Sequence, residues 1–231
     1  MKLYLFQLGT NPVGAPVPGY LVQLDDGTHV LVDTGFPRDA EPGAFVRVGP
    51  GEGIEARLAG VGLRPQDIAV VVCTHLDPDH AGNHDLFPDA EFVVQRSHYE
   101  LARSGTLGRL DMARAKWDLP HLKYRLVEGD TELFPGLVLL ESPGHVEGHQ
   151  SVLVRLPRSG AVLLAADAIP SAGHLDPDAR AMTPFDVDEA AVRSSTRKLV
   201  ERARAENALL VHGHDARQWP TLRTGPGAYY D

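Results

Sequence analysis

Apolar residues arrive along this chain in short runs separated by Gly, Pro and acidic turns, the pattern of many buried strands. Lys2–Leu8, Tyr20–Leu24 and His29–Val32 read as strands, and Asp25-Asp26-Gly27 between the last two is a hairpin signal. Ile68-Ala69-Val70-Val71-Val72-Cys73 is apolar and largely β-branched, as in a strand covered on both faces. Glu91–Gln95, Tyr124–Val127, Leu137–Glu141, Ser151–Leu156, Ala161–Ala166 and Leu209–Val211 complete the predicted strands, with a turn at Pro157–Gly160. Helical stretches fall at Ile54–Val61, at Ser97–Ser104 behind the capping pattern Ser97-x-x-Glu100, and at Leu107–Leu119 before Pro120. A long helix is expected from the pair Asp186-x-x-Glu189, with Asp186 as cap, to the neighbourhood of Glu206, and a short one at His80–Phe87. Thr10–Gly19 and Pro37–Gly53 are rich in Pro and Gly and read as loops. Two runs of strands with helices between and after them predict a layered α/β (α+β) architecture, read as a single domain over residues 1–231.

The chemistry gathers at the ends of these strands. Cys73-Thr74-His75-Leu76-Asp77-Pro78-Asp79-His80-Ala81-Gly82-Asn83 holds four potential metal ligands, in the pattern His-x-Asp-x-Asp-His. Alternate residues of an extended segment point the same way, so His75, Asp77 and Asp79 are expected to converge while His80 is offset towards a second point. A two-metal centre needs that arrangement; a polar turn with capping carboxylates is the bland alternative. Three further strands end in acidic or histidine-bearing turns, at Asp33, Asp167 and His212-Gly213-His214-Asp215, and His145 follows Leu137–Glu141. Acids and histidines at successive strand ends point to one convergent site and favour the dimetal reading. Asp33 reads either as a turn residue or as a carboxylate that orients a metal ligand.

Composition narrows the partners. The formal net charge is −9, where nucleic-acid binders usually carry a basic surface, so no nucleic-acid partner is expected. Arg193, Arg197, Arg202 and Arg204 alternate with Glu201 and Glu206, as on a solvated helix face. Cys73 is the only cysteine, which excludes an internal disulfide and suits a reducing, cytoplasmic location. No apolar run approaches the length of a membrane span, and no membrane partner is expected.

The ordered set Val32-Asp33-Thr34-Gly35, Thr74–Gly82, Pro143-Gly144-His145, Asp167 and Gly213-His214-Asp215 resembles the metallo-β-lactamase superfamily, and within it most closely the N-acyl-homoserine lactonases. Tyr20-Leu21-Val22, Phe92–Arg96 and Gly144–Ser151 add to the likeness. The resemblance implies an αββα sandwich with two divalent metal ions, zinc first among them, at its edge. It implies that His75, Asp77 and His145 hold one ion, that Asp79, His80 and His214 hold the other, and that Asp167 bridges. His212 is the alternative to His214, and His149 is expected to support the site rather than bind metal. Two positions depart from the lactonase pattern. Asp77 stands where that family has His, which suits a harder ion such as manganese or iron there, and Pro170 stands where it has a substrate-contacting tyrosine.

The activity so implied is the opening of a lactone ring, with N-acyl-homoserine lactones (quorum quenching) as the expected substrates. A water activated between the ions would attack the carbonyl, and Asp79 would carry the proton to the leaving oxygen. The groove over the site is expected from Thr10–Gly19, Leu107–Leu119 and Pro170–Pro184. A thioesterase of the glyoxalase-II type and a phosphodiesterase are the alternative hydrolases, and a non-catalytic metal-binding protein is the alternative outside catalysis. A small-molecule substrate is the expected partner, and a homodimer is compatible with the sequence.

Overall fold

In a computed structural model describing residues 1–40 and 45–231, eleven strands form two sheets. The first sheet runs β1 (Lys2–Thr10), β2 (Pro16–Gln23), β3 (His29–Val32), β4 (Val70–Val72), β5 (Glu91–Gln95) and β6 (Lys123–Val127) in that spatial order. β1 to β3 are an antiparallel meander, and β3 to β6 are parallel. The second sheet has the order β11 (Leu209–Val211), β10 (Gly160–Leu164), β9 (Gln150–Leu156), β8 (Leu137–Glu141) and β7 (Thr131–Phe134). It is antiparallel except that β11 joins β10 in parallel, after the crossover helix α5 (Glu189–Ala205).

The period-two alternation of side chains sorts three apolar layers. Leu3, Leu5, Val22, Val30, Val32, Val72 and Val93 face Leu137, Leu139, Val152, Val154, Val162 and Leu164 between the sheets. Tyr4, Phe6, Leu8, Leu31, Val71, Phe92 and Val94 cover the outer face of the first sheet. They meet α1 (Ile54–Gly60) through Ile54 and Leu58, and also Ala102, Leu110 and Trp117. Leu140, Leu153 and Leu163 pack on Leu199 and Ala203 of α5. This is the expected αββα sandwich, and it explains why central strands such as Val70–Val72 read as unbroken apolar runs: both faces are covered.

Several boundaries differ from the sequence reading. Thr10–Gly19 is no simple loop. β1 reaches Thr10 and β2 starts at Pro16; Pro16 and Pro18 lie in the part of β2 that pairs with β1 alone, since β3 pairs only from Tyr20 on. β7 is an edge strand of mixed polarity, half exposed, and it carries no alternation to betray it. His80–Phe87 splits into the one-turn α2 (Pro78–Ala81) and a 3-10 turn at His84–Leu86. Leu107–Leu119 splits into a 3-10 turn, Gly108–Ala113, and the short α4 (Arg114–Trp117). Ser97 caps nothing, since the helix α3 (Arg96–Ser104) has already begun one residue earlier. The cap of α5 is Asp188, whose carboxylate accepts from the Ala191 N–H, and not Asp186. Within the predicted loop Pro37–Gly53, residues 41–44 lie outside those described; Arg47 forms an antiparallel bridge with Thr10. The solvated arginine face on α5 is present, with Arg193 on Glu189, Arg202 on Glu206 and Arg197 on Asp178. Among the described residues no helix is long and apolar enough to cross a membrane.

Candidate metal centre

The site lies beyond the C-terminal ends of β3, β4, β8, β10 and β11, where an open sheet has backbone groups and loops to spare. β4 hands the chain to Thr74 and His75, and Asp77 then starts α2 with Pro78 in its first turn. This ligand loop is tied to the turn after β3. Thr34 donates its N–H and its hydroxyl to the His80 carbonyl, and Asn83 returns an N–H to the Thr34 hydroxyl. His98 of α3 holds the loop from the other side, accepting the Leu76 N–H at its Nε2. Gly213 completes the assembly. A Cβ there would lie 2.4 Å from the Ala166 carbonyl, so only glycine lets the turn after β11 approach the turn that carries Asp167.

His75, Asp77 and His145 form one group whose ligand atoms lie within 4.8 Å of one another; Asp79, His80 and His214 form a second, and His75, His80 and Asp167 a third. Asp167 connects the halves, with its Oδ2 3.4 Å from His145 Nε2 and its Oδ1 3.0 Å from His214 Nε2. Every residue expected to bind metal is therefore in the cluster. His212 is not: its Nδ1 pairs with Asp215 at 2.9 Å, away from the group.

Each of the four imidazoles is anchored through Nδ1. His80 Nδ1 bonds Asp33 Oδ2 at 2.8 Å. The Thr74 hydroxyl donates to that same carboxylate at 2.7 Å, so its oxygen is left to accept from His75 Nδ1 at 3.0 Å. His145 Nδ1 bonds Asp186 at 3.1 Å, and His214 Nδ1 donates to the Pro16 carbonyl at 2.8 Å. With Nδ1 spent as a donor, every Nε2 is turned to the centre as a ligand atom. Asp33 holds a left-handed backbone, φ +59°, sparsely populated outside glycine; its carboxylate bonds His80 directly and reaches His75 through Thr74. His149 lies outside the groups that could share an ion. Its Nδ1 meets Ser142 Oγ and its Nε2 accepts the backbone N–H of Asp167, fixing the turn of that carboxylate.

The electrostatics of these groups call for cations. Burial opposes charge on His80, His145 and His214, yet the neighbouring carboxylates prevail and raise all three, His145 to about 9. Burial likewise works against ionised Asp77 and Asp167, and the surrounding histidines outweigh it and hold both well below the ordinary range. His75, with His80 beside it, is pushed well down by burial, and burial takes His149 to about 3. His75 Nε2, His80 Nε2 and Asp167 Oδ1 are buried without a hydrogen-bond partner. Orphaned polar atoms of this kind are costly in a native interior. Imidazole nitrogens and carboxylate oxygens at these separations fit a pair of divalent ions.

Beside the centre is a cavity of about 220 Å³, walled by Phe36, Phe45, Met112 and Phe185 on the apolar side. Asp79 and Asp167 open onto it. Asn11 comes from the expected Thr10–Gly19 wall and Met112 from Leu107–Leu119, whereas Phe45 and Phe185 lie outside the three stretches named from sequence. Pro170 is not on the wall; its carbonyl accepts the His214 N–H. Two further residues were missed. Asp186 was taken for a helix cap, and Arg109, which bonds both Asp77 oxygens, had no sequence signal, being one arginine in a surface segment.

The chain matches the family model of the metallo-beta-lactamase superfamily over residues 13–214. It is 35% identical over 224 residues to the N-acyl homoserine lactonase AiiA of Bacillus thuringiensis subsp. kurstaki, covering 91% of this chain and 86% of that one. The chain belongs to the metallo-beta-lactamase superfamily and, within it, to the N-acyl homoserine lactonase family. It is also 33% identical to the N-acyl homoserine lactonase AttM of Azorhizobium caulinodans, over 94% of this chain and 88% of that one. A solved N-acyl homoserine lactone hydrolase, with its product N-hexanoyl-L-homoserine bound at the catalytic metal centre, superposes with a TM-score of 0.86 at 30% identity. The alignment covers 99% of this chain and 98% of that chain. The lactonase fold thus extends over nearly the whole of this chain.

Proposed function

We propose that this protein opens the ring of N-acyl homoserine lactones by metal-dependent hydrolysis. The observation that carries this reading is the set of four Nδ1-anchored imidazoles facing three carboxylates at the floor of an apolar-walled cavity. His75, Asp77 and His145 would hold one zinc ion, Asp79, His80 and His214 a second, and Asp167 would lie between them. Asp77 makes the first position the one where manganese or iron can compete. Ions bound there supply Lewis acidity, polarising the ester carbonyl and lowering the proton affinity of water.

The chain's own groups do the remainder. Asp79 Oδ2 lies 3.8 Å from His80 Nε2 and 3.7 Å from His214 Nε2, on the cavity wall. From there its carboxylate takes the proton of the attacking water and returns it to the ring oxygen as the C–O bond breaks. Phe36, Phe45, Met112 and Phe185 exclude water and take up the acyl chain. Asn11 spends its side-chain oxygen on the N–H groups of Val13 and Ala15, which leaves its NH2 to meet the substrate's amide carbonyl.

The test is a substrate panel on metal-loaded protein: acyl-homoserine lactones of several lengths, simple γ- and δ-lactones, aryl esters, a thioester and a phosphodiester. Lactones are expected to win, with kcat/KM rising with acyl length as each methylene entering the cavity contributes about 0.8 kcal/mol. Thioester or phosphodiester turnover above every lactone by orders of magnitude overturns the substrate while leaving the dimetal centre standing.

A further inference from the structure

Asp77 lies against a cation that no part of the hydrolytic reading uses. Arg109 Nε is 2.8 Å from Asp77 Oδ1 and 3.0 Å from Oδ2. The rest of its guanidinium is also engaged, Nη2 donating to the His145 carbonyl at 3.2 Å and Nη1 to the Phe185 carbonyl. Both side chains are largely buried, Arg109 19% and Asp77 8% exposed. The pair therefore interacts with little screening, and Arg109 places one fixed positive charge beside the His75–Asp77–His145 group.

The charge count gives that cation a purpose. Two divalent ions against the carboxylates of Asp77, Asp79 and Asp167 leave one net positive charge; a histidine at 77 would leave two. Arg109 restores the second. We propose that Arg109 is a positioning residue that compensates Asp77, so that the two together act as the electrical equivalent of a neutral imidazole ligand and set the ion affinity of that half of the centre. This rests on the dimetal reading above. Asp77 Oδ2 also lies 3.1 Å from His145 Nε2 and 3.4 Å from His75 Nε2, within the same group. Arg109 both anchors Asp77 and supplies charge to it, and the two roles predict opposite signs when the guanidinium is removed.

The sign of the effect separates compensation from mere anchoring of a surface turn. Zinc stoichiometry by elemental analysis and zinc affinity by chelator competition are measured on wild type, Arg109→Met, Arg109→Lys, Asp77→His and Asp77→His/Arg109→Met, with folding followed by thermal melting. Wild type is expected to hold two ions. Arg109→Met should bind the second ion more tightly, by about tenfold or more given the strength of charge terms in partly buried sites, while Arg109→Lys stays close to wild type. Asp77→His should weaken that ion by about 10–100-fold, the range seen when support around a ligand is lost, and adding Arg109→Met should recover it. Weaker binding in Arg109→Met, or an Asp77→His protein as tight as wild type or not rescued by Arg109→Met, overturns the proposal. If Asp77→His does not fold, tighter binding in Arg109→Met against unchanged binding in Arg109→Lys decides alone. Wild type holding no zinc would overturn the dimetal reading and this proposal together, whereas two ions in wild type with the wrong sign in Arg109→Met would overturn this proposal only.

Discussion

The two halves of the centre use similar ligands but lean on different parts of the molecule. Asp79, His80 and His214 are backed by Asp33, at the end of β3, and by the Pro16 carbonyl at the start of β2. Those supports belong to the central sheet and are buried with it. His75 shares the Asp33 anchor through Thr74, but its partners Asp77 and His145, though buried, are supported from loops. Asp77 is held by Arg109 from the 3-10 turn before α4, and His145 by Asp186, which a fully buried Arg180 neutralises. Near those supports the surface is exposed and apolar at Met112, Met182, Phe185 and Val187. One half is thus fixed by strand ends that the fold cannot give up. The other is held by charged residues from peripheral turns, where a ligand can change identity if its support changes with it. Asp77, with Arg109 over it, is the proposed instance.

Four substitutions and a titration put this contrast under strain. Asp167→Asn strikes both halves at once, since Asp167 lies against His145 on one side and His214 on the other. Both ions and at least about 10³ in kcat should go together, on the scale of losing a group that stabilises the transition state; elemental analysis beside kinetics checks it. Asp79→Asn should lower kcat by about 10²–10⁴, the range for a lost acid–base group. Equal turnover at matched metal loading would reject the proton-carrying role. Asp186→Asn should touch only the half that contains His145, weakening the ion there, and should lower the melting temperature. Arg180 would be left buried without its counter-charge, a loss of about 3–5 kcal/mol. Asp33→Asn should weaken both ions by about 10–100-fold, because His80 and, through Thr74, His75 both depend on it; a loss confined to one ion would break the comparison.

The smallest effect is on pH. In the metal-free protein His80, His145 and His214 have raised pKa values, so their charged forms stabilise the fold fully below the unfolded value of about 6.5. That contribution fades as pH rises through the folded values, about 9 for His145. The melting temperature of stripped protein should therefore fall between pH 6.5 and 9. The gain on adding zinc should grow over the same window, because a ligand that need not first release a proton binds more tightly. A zinc-induced shift that is flat with pH would mean that these histidines do not bind the ion.

The sequence by itself determined the sandwich and the residues that gather at its edge. Strands covered on both faces are written as apolar runs, and the residues that close each strand, Asp33, His75–His80, Asp167 and His214, sit beside those runs where short-range spacing exposes them. Tertiary structure decided what distant segments do to one another. His212 and His214 are equivalent by spacing, and only the approach of Gly213 to Ala166 turns one of them to the centre while Asp215 takes the other. Asp186 carries a capping pattern and yet serves His145, 41 positions away. Arg109 meets Asp77 across 32 positions. Strand burial and turn chemistry act between neighbours in the chain and leave a local trace. A charge pair between two loops depends on how the layers stack, and no periodicity in the sequence records it.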